Sequence, residues 1–422
     1  MFKESVEYKR TVFPNGLKVI TEAIPYVRSV SLGLWVNVGS RDESEDFSGI
    51  SHFIEHMAFK GTTNRTFTEI ASCLESVGGV LNAFTSREQT CFYAKFLDQH
   101  LDKGVDLLFD LARNGLFSPS DIEKEKRVVL EEIKDVDDSP GDLVHDKFAR
   151  TIFGNHPLGR PILGTKRGVR GINREKILRH AGRFYLPGNM LIAASGNLEH
   201  VRLVELISTR IDQKPSDISL NGRVKPIYSP EKKVFQRDSA QTHICLGVPA
   251  KEFNDSSRAA ITLLNSLLGG GMSSRLFQEL RENLGLVYSV FSYLDFFDDT
   301  SIVGIYLGTN KRNVRRAIAA VLKQIERFRQ EPLPLDDLAK VKEQLKGNLM
   351  LGLENTSSRM SRLAKHEFLA GRYISLDETI SGIDSVKADE ITENARELFL
   401  NEKFSAVILG PSSKGVFSVF DD

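Results

Sequence analysis

The order of apolar strands and amphipathic helices along the first half of the chain recurs along the second. In the first half an apolar strand, SVSLGLWVNVGS (29–40), precedes helical stretches at 49–60 and 67–77. A β-rich run then covers 80–97, helices cover 98–114 and 119–135, and the strand NMLIAASGN covers 189–197. In the second half QTHICLGVPA (241–250) reads like the first strand, with helices at 256–268 and 273–283. A β-rich run at 286–308, helices at 311–329 and 335–352, and the strand FSAVILG (404–410) complete the repeat. One recurrence in 422 residues predicts two similar domains of about 200 residues each. Helices placed between strands in pairs, without strict βαβ alternation, predict an α+β class. Each half is then a sandwich of an antiparallel-rich sheet and helices. The proline-containing polar stretch DQKPSDISLNGRVKPIYSPEK (212–232) is the natural break. The expected domains are 1–215 and 233–422, joined by a linker over 216–232.

Composition narrows the function classes. Lys plus Arg and Asp plus Glu are both 56, so no net charge favours nucleic acid or an anionic membrane as partner. Hydrophobic residues are 41% of the chain, but none of the apolar runs reaches the roughly 18 residues that would span a bilayer. The first residues, MFKESVEYKRTVFPNG, have neither an apolar signal core nor the Arg/Ser-rich character of a transit peptide. The expected location is the cytoplasm. Cys73, Cys91 and Cys245 form no CxxC pair, so the thiols are expected to be free and buried rather than zinc ligands.

The segment His52-Phe53-Ile54-Glu55-His56 carries chemistry. Residues four apart share a helix face, so His52 and His56 can present two imidazoles to one ion. Glu55 shares that face and can reach a water held by the same ion. The arrangement is the reversed form of HExxH and suits zinc, one ion per chain, with a position left for water. A third protein ligand is needed. In EKEKRVVLEEIKDVDD, Glu125 and Glu132 are two turns apart on one face. Glu132 is the expected ligand, and Glu125 the acceptor for the free N–H of a liganding imidazole. Glu131 competes for the ligand role, though on an ideal helix it points about 100° away from Glu132.

Five segments resemble the pitrilysin/insulinase family of zinc peptidases, and in particular its processing-peptidase branch. They are GISHFIEHMAFKGT (49–62), GGVLNAFTSREQTCFYA (78–94), HPLGRPILGT (156–165), FYLPGNMLIAASGN (184–197) and LLGGGMSSRLFQELRENLGLVYSV (267–290). The resemblance implies one half of a clamshell that encloses substrate. It implies that residues 81–85 are an edge strand that takes an unfolded peptide, with Asn82 and Ala83 making the contacts. It implies that Arg281 binds a substrate carbonyl and that Tyr288 donates to the developing oxyanion. Gly269, Gly270 and Gly271 resemble a shortened glycine-rich loop, although a tight helix break explains them equally well.

The resemblance thus implies a zinc metalloendopeptidase acting on unfolded or short, presequence-like peptides, with Glu55 as general base. One chain here carries both the zinc motif and the Arg281/Tyr288 pair. A homodimer is therefore expected, in which each subunit's pair completes the other's site. The competing classes are a non-catalytic assembly subunit of the same fold and a zinc hydrolase of non-peptide substrates. His52, Glu55, His56 and Glu132 are all present, against the first. An edge strand suited to extended backbone argues against the second.

Overall fold

The computed structural model describes residues 7–211, 222–411 and 415–420. The chain opens with strands β1 (Glu7–Val12), β2 (Lys18–Ala23) and β3 (Ser29–Val36). Helices α1 (Ile50–Ala58) and α2 (Phe67–Glu75) follow, then the hairpin β4 (Val80–Thr85) and β5 (Thr90–Leu97). Next come α3 (Leu101–Arg113), α4 (Pro119–Asp138), α5 (Pro140–Phe153), α6 (Lys166–Arg170) and α7 (Arg174–Phe184). Strand β6 (Met190–Gly196) and α8 (His200–Ser208) precede the undescribed residues. Beyond them lie β7 (Lys232–Phe235), β8 (Thr242–Ala250), α9 (Arg258–Gly269), β9 (Val287–Phe296) and β10 (Ser301–Thr309). The chain then runs through α10 (Val314–Gln330), α11 (Leu335–Gly352), α12 (Thr356–Ala370), α13 (Leu376–Ser385), α14 (Ala388–Leu398) and β11 (Ser405–Leu409).

Two mixed sheets carry the repeat. The first has the order β1-β2-β6-β3-β5-β4 and the second β7-β11-β8-β10-β9. In each, one pair is parallel, the inner pair β2 with β6 in the first sheet and the end pair β7 with β11 in the second, and the other pairs are antiparallel. Strands β3 and β8 thus take equivalent places, as do β6 and β11. The class is α+β, with two domains of one topology.

Central strands are apolar along their whole length because both sheet faces are covered. All seven residues of β6 are buried. One face of the first sheet packs on α1, α2, α3 and α8 through Leu32, Leu34, Phe53, Ile54, Leu108 and Leu203. Its other face, with Ile20, Trp35, Cys91, Leu191 and Ala193, packs on Met360, Leu363 and Ala364 of α12. The second sheet repeats this: Ile244, Leu246 and Ile305 meet Leu263, Leu264 and Ile318. Its other face, with Cys245, Tyr306 and Val407, meets Leu143, Val144 and Phe148 of α5.

The compact units are therefore not the contiguous stretches 1–215 and 233–422. The first unit gathers Met1–Ile133, Arg160–Arg223 and Gly352–Tyr373, and the second gathers Lys134–Gly159, Val224–Leu351 and Ile374–Asp422. The reason is packing. Each sheet needs a helix on its second apolar face, and that helix comes from the other half of the sequence. Of the expected linker, residues 216–221 lie outside the described residues, and 222–231 run without helix or strand. Among the described residues no helix is long and apolar enough to cross a membrane.

Candidate metal centre

Helix α1 begins without a side-chain cap. Gly49, at its N-cap, has φ 100° and ψ 1°, a left-handed conformation that favours glycine. A Cβ there would also meet Leu163 O at 2.6 Å. The N–H groups of Gly49 and Ser51 donate instead to the two carboxylate oxygens of Glu43, at 2.7 and 2.8 Å. Burial pushes the Glu43 carboxyl up to about 7, against the opposing pull of those two N–H groups. Ile50, Phe53, Ile54 and Met57 face the core, which turns His52, Glu55 and His56 to the other side of the helix.

Helix α4 brings the second set of side chains. Ile122, Val129 and Ile133 seat it on the core beside the buried Glu125. Glu125 Oε1 accepts from His56 Nδ1 at 2.8 Å, and Lys60 Nζ lies 2.7 Å from Glu125 Oε2. With Nδ1–H donated to Glu125, His56 Nε2 carries its lone pair outward. It meets His52 Nε2 at 3.2 Å and Glu132 Oε2 at 3.6 Å, and His52 Nε2 is 4.0 Å from Glu132 Oε2. Glu132 is the carboxylate that reaches the imidazoles; Glu131, next to it, is exposed and outside the cluster.

With His52 in its Nδ1–H tautomer all three atoms are acceptors, and they repel unless a cation lies between them. Tetrahedral zinc with bonds of about 2.0–2.1 Å holds its ligand atoms about 3.4 Å apart, and the observed separations bracket that length. Burial, and after it His56, lowers His52 to about 3, so at neutral pH its imidazole is uncharged, the form that ligates. Two imidazoles and a carboxylate are a donor set that zinc accepts, and among the described residues this is the one His/Cys/Asp/Glu cluster able to hold a metal ion.

Glu55 stands beside this cluster. Burial raises its carboxyl above the usual range, and the Thr85 hydroxyl, which donates to Glu55 Oε2 at 2.5 Å, opposes that shift. Thr85 ends β4, the free edge of the first sheet. At the hairpin turn Ser86 N–H donates to Gln89 O at 2.7 Å. Antiparallel strands alternate hydrogen-bonded and non-bonded pairs, so Phe84 opposite Cys91 and Asn82 opposite Tyr93 are the bonded pairs. The backbone groups of Leu81, Ala83 and Thr85 therefore face outward. Ala83 N–H is accepted by the Asn82 side chain, 2.8 Å away. Asn82 offers its side chain to that edge, whereas its own backbone faces β5.

Residues 18–166 match the family model described as insulinase (peptidase family M16), and residues 171–345 match the model of the M16 inactive domain. An uncharacterized zinc protease of Bacillus subtilis is 37% identical over 404 residues, covering 96% of this chain and 98% of that protein. An uncharacterized zinc protease of Mycobacterium tuberculosis is 40% identical over 413 residues, covering 96% and 93%. The chain belongs to peptidase family M16.

Solved structures agree on the M16 fold. A protease from Helicobacter pylori superposes with a TM-score of 0.88 at 24% identity, covering 96% of this chain and 100% of that one. A chain of Complex III2 from Candida albicans gives 0.83 at 22% identity, covering 96% of each. The His52, His56 and Glu132 cluster falls within the stretch matched by the first M16 model. Arg281 and Tyr288 fall within the second. Arg281 lies on a π-helical turn, Phe277–Asn283, with its guanidinium 5.0 Å over the Phe277 ring. Tyr288 is 57% exposed on β9, the edge strand of the second sheet. Gly269 ends α9 and Gly270 caps it, as a helix break requires.

Three neighbours of the cluster carry little signal in the sequence. Lys60 lies four residues after His56, so helical spacing could have paired it with the face that meets Glu125. Thr85 lies in the segment 78–94, where nothing in the sequence marks its partner. Glu43 gave no local signal, because its partners are backbone N–H groups.

Proposed function

We propose that this chain is a zinc metalloendopeptidase for unfolded or short peptides, presequence-like ones among them. The observation that carries the reading is the meeting of His52 Nε2, His56 Nε2 and Glu132 Oε2 within 3.2–4.0 Å of one another. These three side chains would hold the metal. Bound zinc supplies a Lewis acid that acidifies a water and polarises a peptide carbonyl. The chain's own residues do the rest. Glu55 accepts the proton of the attacking water and later returns it to the leaving amine. Glu125 keeps His56 in the Nδ1–H tautomer. The outward backbone of Ala83, with the Asn82 side chain, takes the peptide as an added strand.

Arg281 would bind a substrate carbonyl, and the Tyr288 hydroxyl would donate to the oxyanion. Since one chain carries both sets, a homodimer in which Arg281 and Tyr288 of the partner subunit complete each site follows. The assembly-subunit reading is the weaker one, because the full ligand set and the base are present together in one place.

Two experiments test this. Glu55→Gln should retain one zinc per chain and lose about 100-fold or more in turnover of a quenched fluorescent peptide. Loss of zinc from that variant would show that its role is misassigned. Mixing Glu55→Gln chains with Arg281→Ala chains should restore activity through mixed dimers, in which one site has both an intact base and an intact Arg281. A mixture as inactive as its components would count against a shared site.

A further inference from the structure

We infer that Thr85 is a positioning residue for Glu55, and that it links docking of a peptide strand on β4 to the setting of the base. The inference rests on the reading of Glu55 as the proton acceptor. A glutamate has three rotatable bonds and can point its carboxylate away from a nearby water. Fixing it requires a partner that holds one oxygen and leaves the other free. The Thr85 hydroxyl, 2.5 Å from Oε2, is such a partner. Among the described residues Oε1 has no hydrogen bond, so Oε1 is the oxygen left to receive a proton.

The position of Thr85 matters as much as its hydroxyl. Leu81, Ala83 and Thr85 are half-buried whereas Val80, Asn82 and Phe84 are exposed. The Thr85 side chain therefore points to the sheet face that carries α1. Its backbone, two residues from Ala83, faces the free edge. A β-branched side chain has few rotamers, and strand backbone restricts them further. A peptide pairing along Ala83 and Thr85 would hold that backbone as strand, and with it the hydroxyl that holds Glu55. Substrate binding and orientation of the base thus meet in one residue.

The test compares wild-type, Thr85→Val, Thr85→Ser, Glu55→Gln and the Glu55→Gln/Thr85→Val double variant of the full chain. For each, kcat and KM are measured on one peptide, together with zinc content and melting temperature. Thr85→Val keeps the shape and removes the donor. It should lower kcat about tenfold with KM changed less than about twofold. Thr85→Ser should recover kcat to within about threefold of wild type. The valine change should lower the residual rate of Glu55→Gln no further, because Thr85 acts through the carboxylate.

The inference is overturned if Thr85→Val turns over like wild type while Glu55→Gln is inactive, a result that leaves the base reading intact. It is overturned equally if Thr85→Ser is as slow as Thr85→Val, or if Thr85→Val loses zinc or melts earlier. The side chain would then serve packing rather than the base. Full activity of Glu55→Gln would remove both the base and its positioning residue.

Discussion

His56 is held from behind by two groups in series: its Nδ1–H meets Glu125, and Glu125 meets Lys60. A buried carboxylate with two such donors is costly to alter on one side only. Glu125→Gln should therefore weaken zinc about 10- to 100-fold in chelator competition while leaving the proposed ligands His52, His56 and Glu132 untouched. Unchanged affinity would show that His56 needs no such support. Glu43 and His180 give the same unit opposing pH dependences. Burial lowers His180 to about 4, so its neutral form stabilises the fold fully above its unfolded value of 6.5 and is lost as pH falls toward 4. Glu43 is raised to about 7, so its protonated form stabilises the fold at low pH and that gain is lost as pH rises through 7. Between pH 7 and 5 the two slopes offset. Glu43→Gln should make the urea midpoint fall more steeply on acidification across that window, and a shallower fall would contradict the assignment.

The centre is built from three elements that only the fold brings together: α1, α4 and the edge strand β4. Two of them were legible in sequence because helical spacing alone puts His52 with His56, and Glu125 with Glu132, on shared faces. That Glu132 rather than Glu131 meets the imidazoles also follows from the turn angle. Strands β3, β6, β8 and β11 were legible as apolar runs, and their matched order made the repeat visible. Helices α12, α13 and α14 lie outside the elements expected from the sequence. The buried face of α12 mixes Thr356, Arg359, His366 and Glu367 with Met360, Leu363 and Ala364, so its apolar stripe is too narrow to announce a helix. Arg359 and Glu367 are paired in the folded unit, Arg359 with Glu22 at 3.0 Å and Glu367 with Arg10 and Lys18, each at 2.9 Å. Leu363 is 2% exposed against the first sheet. Leu363→Ala should cost about 2–5 kcal/mol in denaturant unfolding. A cost near zero would mean that α12 is not part of that core.

At the scale of the whole molecule, the duplication visible in the sequence is not partitioned as the sequence suggests. Each sheet takes one covering helix from the other half of the chain, so neither half is a self-sufficient domain. A fragment of residues 1–215 would leave Ile20, Trp35 and Leu191 without α12, an exposed apolar face that favours association. Such a fragment should bind a hydrophobic dye and aggregate, and a peptide spanning Gly352–Tyr373 should reduce both without abolishing them, since α5 still lacks its sheet; a monomeric, dye-free fragment would contradict the packing. Element order is a local property that periodicity reveals, whereas the choice of sheet for α5 and α12 depends on which apolar face each one covers, and no spacing rule along the chain encodes that.

Zinc affinity of the full chain, measured by competition with a chelator for wild type, Glu132→Gln and Glu131→Gln, tests the metal centre most directly. One zinc per chain is expected, with Glu132→Gln weaker by about 100-fold, the loss of a direct ligand, and Glu131→Gln unchanged. Equal zinc binding by wild type and Glu132→Gln, or a loss confined to Glu131→Gln, would contradict it.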